Sequence, residues 1–252
     1  MFPLFDDNPR LAWPLVTALL IAANVLAWVF LQGMGADRSF ANSLCQFGLI
    51  PADLLGIAAS GTRVPLSPVL HCVIDGAPGW FTVLSSMFMH GGWMHIVGNL
   101  WFLWVFGDNV EDAMGPFRFL GFYLLGGFAA AAAQILSDPD SLVPMVGASG
   151  AIGAVMGAYA VLYPRARVQT LVFLGIWITR IPVPAIVMLG YWFLLQLVGG
   201  LPALGAQGGG VAFWAHIGGF LAGVVLTPVM RDPERLERLR SLRESTVGSR
   251  AF

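Results

Sequence analysis

Residues 211–230 read VAFWAHIGGFLAGVVLTPVM: twenty positions with no formal charge, one histidine, and glycines at 218, 219 and 223. An apolar run of about twenty residues matches the hydrocarbon thickness of a bilayer when helical. A single ionisable side chain inside such a run is costly in lipid, so it faces a cavity or a partner. Working outward from this stretch, five more apolar segments emerge between charge, Pro and Gly clusters, at 11–31, 94–106, 117–136, 149–163 and 183–198. The second and fourth of the six, 94–106 and 149–163, are short for a full span. They predict helices that begin below one surface at a water-filled cavity, where irregular backbone is tolerated. The fold class is therefore all-α: a polytopic membrane protein with six transmembrane helices around a water-accessible cavity.

Composition points the same way. The 252 residues are 57% hydrophobic and 11% charged, against about 45–50% and about 25% in soluble domains, which excludes a single water-soluble domain. All 13 cationic side chains are arginine, and no basic face exists to displace phosphate counterions, so no nucleic-acid partner is expected. Cys45 and Cys72 are too few and too far apart for a structural zinc site, and no metal is expected. They are either one disulfide or two free thiols.

Orientation follows from arginines near the helix ends. Arg165, Arg167 and Arg180 lie between the fourth and fifth spans, six more arginines follow Met230, and the loop around Asp138 and Asp140 has none. Residues 1–10 are thus expected as a cytoplasmic N-terminus and 11–230 as the membrane domain, with a first outer loop at about 32–93. Residues 231–252 are expected as a solvated, partly helical cytoplasmic tail. Asp6, Asp7 and Arg10 precede the first span without a small-residue cleavage site, which reads as a retained anchor. The acidic start disfavours an Arg-rich organellar leader, and a bacterial plasma membrane is the expected location.

Polar residues inside the spans carry the chemistry. The second span opens with His90-Gly91-Gly92-Trp93-Met94-His95-Ile96-Val97-Gly98-Asn99, in which His95 and Asn99 share a face. The fourth opens with Gly147-Ala148-Ser149-Gly150, and the sixth carries His216. Each feature alone is equally expected of small-residue packing or interhelical hydrogen bonding. Their register says more. Ser149, Gly153 and Gly157 fall at i, i+4 and i+8, and His216, Gly219 and Gly223 at i, i+3 and i+7. If these two smooth stripes pack together, Ser149 and His216 meet on facing helices. A serine hydroxyl is a poor nucleophile until an imidazole takes its proton. An oxyanion would then need donors, for which the Ser149 backbone N–H, Asn99 and His95 are the candidates. The nearest carboxylates do not complete a triad, because Asp108 lies about 13 Å along the helix from Asn99 at about 1.5 Å per residue. A Ser149–His216 dyad is the reading.

These residues resemble the rhomboid family of intramembrane serine proteases from about Trp80 to Met230. The match runs through His90 to Asn99, Gly107-Asp108-Asn109-Val110-Glu111-Asp112, Gly147-Ala148-Ser149-Gly150 and Ala215-His216-Ile217-Gly218-Gly219 with Gly223. The resemblance implies a six-helix core, Ser149 as nucleophile, His216 as base, and Asn99 with His95 at the oxyanion. Cleavage in or near the transmembrane segment of single-span membrane protein substrates is also implied, with no cofactor. It gives His90 a structural role, and Gly147, Gly150, Gly153, Gly157, Gly219 and Gly223 supporting ones. Phe81 stands where many members carry Arg, and Gly153 where some carry an aromatic that stacks on the imidazole. By the same resemblance the fifth span, with Tyr191, Trp192, Phe193 and Gln196, is the side gate for substrate helices, while composition explains its aromatics equally well as lipid-facing or interfacial anchors. The glycine-rich stretch 199–210 reads as either a lid or a flexible connector. A catalytically silent rhomboid-like protein that binds or escorts membrane clients is the alternative. A third reading, a small transporter or channel using the same polar residues as a solute path, has the intramembrane histidines in its favour, but the sequence shows no broken helices in matched halves, as inverted repeats would require.

Overall fold

The protein is described by a computed structural model covering residues 1–66, 71–74, 76, 79–174, 177–203 and 211–248. The chain opens with strand β1 (Phe2–Asp6) and helix α1 (Leu15–Leu26), which continues as one wider π turn at Ala27–Leu31. The following segment holds α2 (Asp37–Phe47), α3 (Pro51–Leu54), the strands β2 (Arg63–Pro65) and β3 (His71–Val73), and α4 (Thr82–Ser85). Next come α5 (Trp93–Met114), α6 (Pro116–Ser137) and α7 (Ser149–Leu162). Strands β4 (Arg167–Leu174) and β5 (Trp177–Pro184) lead to α8 (Ala185–Ala203), α9 (Phe213–Met230) and α10 (Pro233–Gly248).

The result is a mostly helical, polytopic membrane fold whose six apolar helices are α1 and α5 to α9. By length and composition, α6, α8 through Pro202 and α9 are each able to cross a membrane, while Leu15–Leu31 and Ser149–Leu162 are shorter apolar helices. The central helix is α7, with ten of its residues from Ala151 to Ala160 buried. Its small side chains admit α9 on one side and α6 on another: a Cβ on Gly126 of α6 would collide with Ala154, and one on Gly150 of α7 with Ala130 of α6. Without a hydrophobic drive between helices in lipid, close approach of this kind supplies the van der Waals attraction that holds them.

One helix is longer than its sequence suggested. The second span was expected to end at Phe106, before Gly107-Asp108, yet α5 runs to Met114 with Asp108, Glu111 and Asp112 each under 5% exposed. Partners from the chain ends explain their burial. Arg10 Nε lies 2.6 Å from Asp108, and Arg235 Nη2 lies 3.3 Å from Asp112, which also accepts from the Leu11 N–H at 2.6 Å. Glu111 accepts from the N–H groups of Val16 and Thr17 and from the Thr17 hydroxyl at 2.8–2.9 Å. A carboxylate thus satisfies donors that the first turn of α1 cannot satisfy internally. Gly115, at φ +80°, is the single residue joining α5 to α6, a conformation that strains any side chain.

Residues 1–10, expected as a cytoplasmic N-terminus, are built into the fold. β1 pairs antiparallel with β4, and β4 with β5, in a three-stranded sheet with Asp6 opposite Val168 and Arg167 opposite Pro184. Val168 and Thr170 are buried between more open neighbours, the period-2 signature of a strand. Asp6 accepts from Tyr159, Asn8 and Asn109, and burial nevertheless pushes its carboxyl above the usual range. α10 docks through Arg235, whose Nε donates to the Asp112 carbonyl, and through buried Leu239. β1, β4, β5 and α10 therefore gather at the end of the bundle where α5 and α7 finish.

At the opposite end, Cys45 of α2 and Cys72 of β3 form a disulfide that closes a 27-residue separation. Leu49 and Met145 exchange backbone hydrogen bonds at 3.0 and 2.7 Å, tying this segment to the connection between α6 and α7. Phe81, where an arginine was the family expectation, is mostly exposed and meets Phe47 edge-on. Helix α8 extends to Ala203, five residues past the expected end at 198, so part of the 199–210 stretch read as a lid or a connector is helical. Its remainder, 204–210, lies outside the described residues, as do the tail residues 249–252.

Candidate active site

The glycine stripes of α7 and α9 lie against each other. A Cβ on Gly219 would fall 2.9 Å from the Gly150 carbonyl carbon, one on Gly223 2.7 Å from that of Ala154, and one on Gly157 3.1 Å from that of Phe220. Backbone meets backbone along the whole seam. This contact sets the level of the two polar residues near the N-terminal ends of both helices: Ser149 Oγ and His216 Nε2 are 2.8 Å apart, across 67 positions of sequence. Both side chains are half-buried.

Ser149 opens α7, whose first N–H groups have no acceptor within the helix. The turn before it is held by the Gly147 N–H, which donates to Ser86 O at 2.9 Å. Gly147 has φ +125°, and a Cβ there would sit 2.7 Å from His95 Nε2 and 3.4 Å from Ser149 Oγ. Glycine is required here on both counts. His95 Nδ1 accepts from the Gly91 N–H at 3.1 Å. An imidazole nitrogen that accepts carries no proton, so the proton of neutral His95 is on Nε2, the atom turned toward Gly147.

The remaining expected residues divide. Asn99 is buried one turn below His95 and donates to the His95 carbonyl at 2.8 Å. Among the described residues no hydrogen bond joins it to Ser149 or His216. His90 is fully buried, packs edge-on against His95 at 5.2 Å, and has its backbone clamped by Gln32, which donates to its carbonyl and accepts from its N–H at 2.8 Å each. Gly150 faces Ala130 of α6, and Gly153 lies under the His216 carbonyl, where a Cβ would be 3.1 Å from the oxygen.

One contact was not anticipated. His216 Nδ1 is 2.8 Å from Gln196 Oε1 of α8, and the ring of Trp192 lies 5.8 Å from the imidazole at a 38° tilt. The sequence placed both residues on the fifth span, where the family resemblance implied a gate. Their spacing of four, one helical turn, was the available signal that they share a face, but nothing in the sequence said which face meets α9.

A serine hydroxyl bonded to an imidazole, beside free helix N-terminal N–H groups and a histidine N–H, is equipped for nucleophilic attack on a carbonyl and for holding the resulting oxyanion. Comparison with known proteins bears on this. The family model described as Rhomboid domain matches residues 77–233, which takes in every one of these side chains. The chain is similar to the Rhomboid protease GluP of Bacillus subtilis, with 31% identity over 213 residues, 84% of this chain and 35% of that protein. It is similar to Rhomboid-related protein 2 of Mus musculus, 33% identical over 163 residues, 65% of this chain and 52% of the other. With the mitochondrial Rhomboid protein 1 of Saccharomyces cerevisiae the identity is 27% over 150 residues, 57% and 40% of the two chains. The chain thus spans about a third to a half of the length of these curated relatives.

Proposed function

The chain belongs to the rhomboid family, and from that premise we propose that it is an intramembrane serine endopeptidase that cleaves single-span membrane proteins in or near their transmembrane segments. The observation that carries this reading is the 2.8 Å bond between Ser149 Oγ and His216 Nε2. The similarity to the Rhomboid protease GluP of Bacillus subtilis supports it. His216 takes the Ser149 proton as Oγ attacks the scissile carbonyl carbon. The oxygen, now an anion, is received by the Ser149 backbone N–H, by His95 Nε2–H and, after its amide leaves the His95 carbonyl, by Asn99. His216 then protonates the departing amine, and water hydrolyses the acyl ester by the same steps with the same base.

Both termini face the cytoplasm in this proposal, since the arginine-rich segments at 164–182 and after Met230 flank the same end of the bundle. The site then opens to the outer side of a bacterial plasma membrane, with the disulfide-bearing segment on that oxidising side. The test is cleavage of a single-span reporter co-reconstituted with the full chain in lipid vesicles. Wild type is expected to release the outer fragment, and Ser149→Ala and His216→Ala are expected to release none. Release that persists in Ser149→Ala would end the proposal, and an intact reporter with well-folded wild type would favour a client-binding protein.

A further inference from the structure

Gln196 occupies a position that decides how His216 works. It is buried at 9% exposure, and its amide makes two bonds: Oε1 to His216 Nδ1 at 2.8 Å, and Nε2 to the Trp192 carbonyl at 3.3 Å. A backbone carbonyl only accepts, so the amide atom facing Trp192 O is the nitrogen, and the atom facing His216 is the oxygen. An oxygen facing Nδ1 requires Nδ1 to carry the proton. Neutral imidazole then has Nε2 free, and Nε2 is the atom 2.8 Å from Ser149 Oγ. One backbone carbonyl on α8 thereby fixes, through two hydrogen bonds, the tautomer in which His216 accepts from serine. The wrong tautomer would point an N–H at Oγ and leave it no base.

The ring is also held from the same helix. Trp192 lies against the imidazole, and Phe220 supports Trp192 at 6.1 Å. The α7 side offers no such support, because Gly153 brings its backbone close to the His216 carbonyl and has no side chain to stack. The ionisable side chain that acts on His216 is His95 of α5; no carboxylate from α6, α7 or α8 does so among the described residues.

We propose that Gln196 is a positioning residue, the neutral third member of the Ser149–His216 pair, holding His216 in the proton-accepting tautomer while Trp192 braces its ring. This rests on the reading of Ser149 as nucleophile, and the experiment separates the two. The purified full chain is reacted with a fluorophosphonate, and the labelling rate of Ser149 is followed from pH 5 to 9 for wild type, Gln196→Leu and Gln196→Glu, with thermal unfolding of each. Loss of the acceptor in Gln196→Leu is expected to slow labelling about ten- to a hundredfold, the scale of one unsatisfied buried hydrogen bond. The near-isosteric Gln196→Glu restores the acceptor and adds a negative charge beside the ring, which favours the imidazolium. Its acid limb is expected to move about one to three pH units upward, with rates near wild type above the limb. A merely structural glutamine would change unfolding and leave the limb in place. A reactive wild type whose rate and acid limb are unchanged in both variants overturns this inference alone. A wild type that is unreactive at Ser149 removes the dyad, and this inference with it.

Discussion

Replacing Gly219 by alanine isolates the contact on which the Ser149–His216 geometry depends. The added Cβ would lie 2.9 Å from the Gly150 carbonyl carbon and closer still to its oxygen, whereas carbons pack at about 3.5–4.0 Å. Both neighbours are backbone and cannot rotate away, so α7 and α9 must part by on the order of 1 Å, a strain of about 1–3 kcal/mol for an overpacked core. The hydroxyl and imidazole ride on those two helices, at positions 149 and 216. Adding that separation to their 2.8 Å distance takes the pair past hydrogen-bond range, and a displacement of about 1 Å at a reacting centre costs about a hundredfold in rate. The assay is reporter cleavage in vesicles together with thermal unfolding in detergent. Gly190→Ala is the control, since a Cβ there meets nothing within 4 Å. Gly219→Ala that cleaves within threefold of Gly190→Ala would refute the claim that the glycine seam sets the geometry.

Three further outcomes are expected. Gly147→Ala places a Cβ at a strained φ of +125° and against His95 Nε2; cleavage should fall at least about tenfold, measured at matched folded fraction. Glu111→Ala strips three donors at the start of α1 of their acceptor; stability should drop by about 2–4 kcal/mol, read by denaturation, while the folded fraction still labels at Ser149. Reduction of the Cys45–Cys72 disulfide should shift gel mobility and expose two thiols to maleimide, and full labelling without reductant would contradict the bond.

Much of the site was legible because membrane sequences separate signal from scaffold. In a chain with 11% charged residues, a Ser, a His and two runs of glycine at helical spacing leave few ways to pack, and the close approach of Gly219 to Gly150 is the physical content of that pattern. What the sequence concealed lies where polar groups find partners far away in the chain. Asp108, Glu111 and Asp112 looked like the end of a helix because their partners, Arg10, the α1 N-terminus and Arg235, are about a hundred residues distant. The 164–182 segment read as an arginine-marked loop, since β4 and β5 alternate only briefly and β1 is needed to complete their sheet. Gln196 was visible but its bond was not, because helical periodicity gives the spacing of a face and not the identity of the neighbour it meets.

The proposed chemistry requires Ser149 to be a nucleophile made so by His216. Locating a fluorophosphonate adduct by mass spectrometry tests it most directly. Wild type is expected to carry a single adduct on Ser149, and a His216→Ala variant that unfolds at the wild-type temperature is expected to carry none. A folded wild type without the adduct, or an adduct that forms equally well without His216, would contradict it.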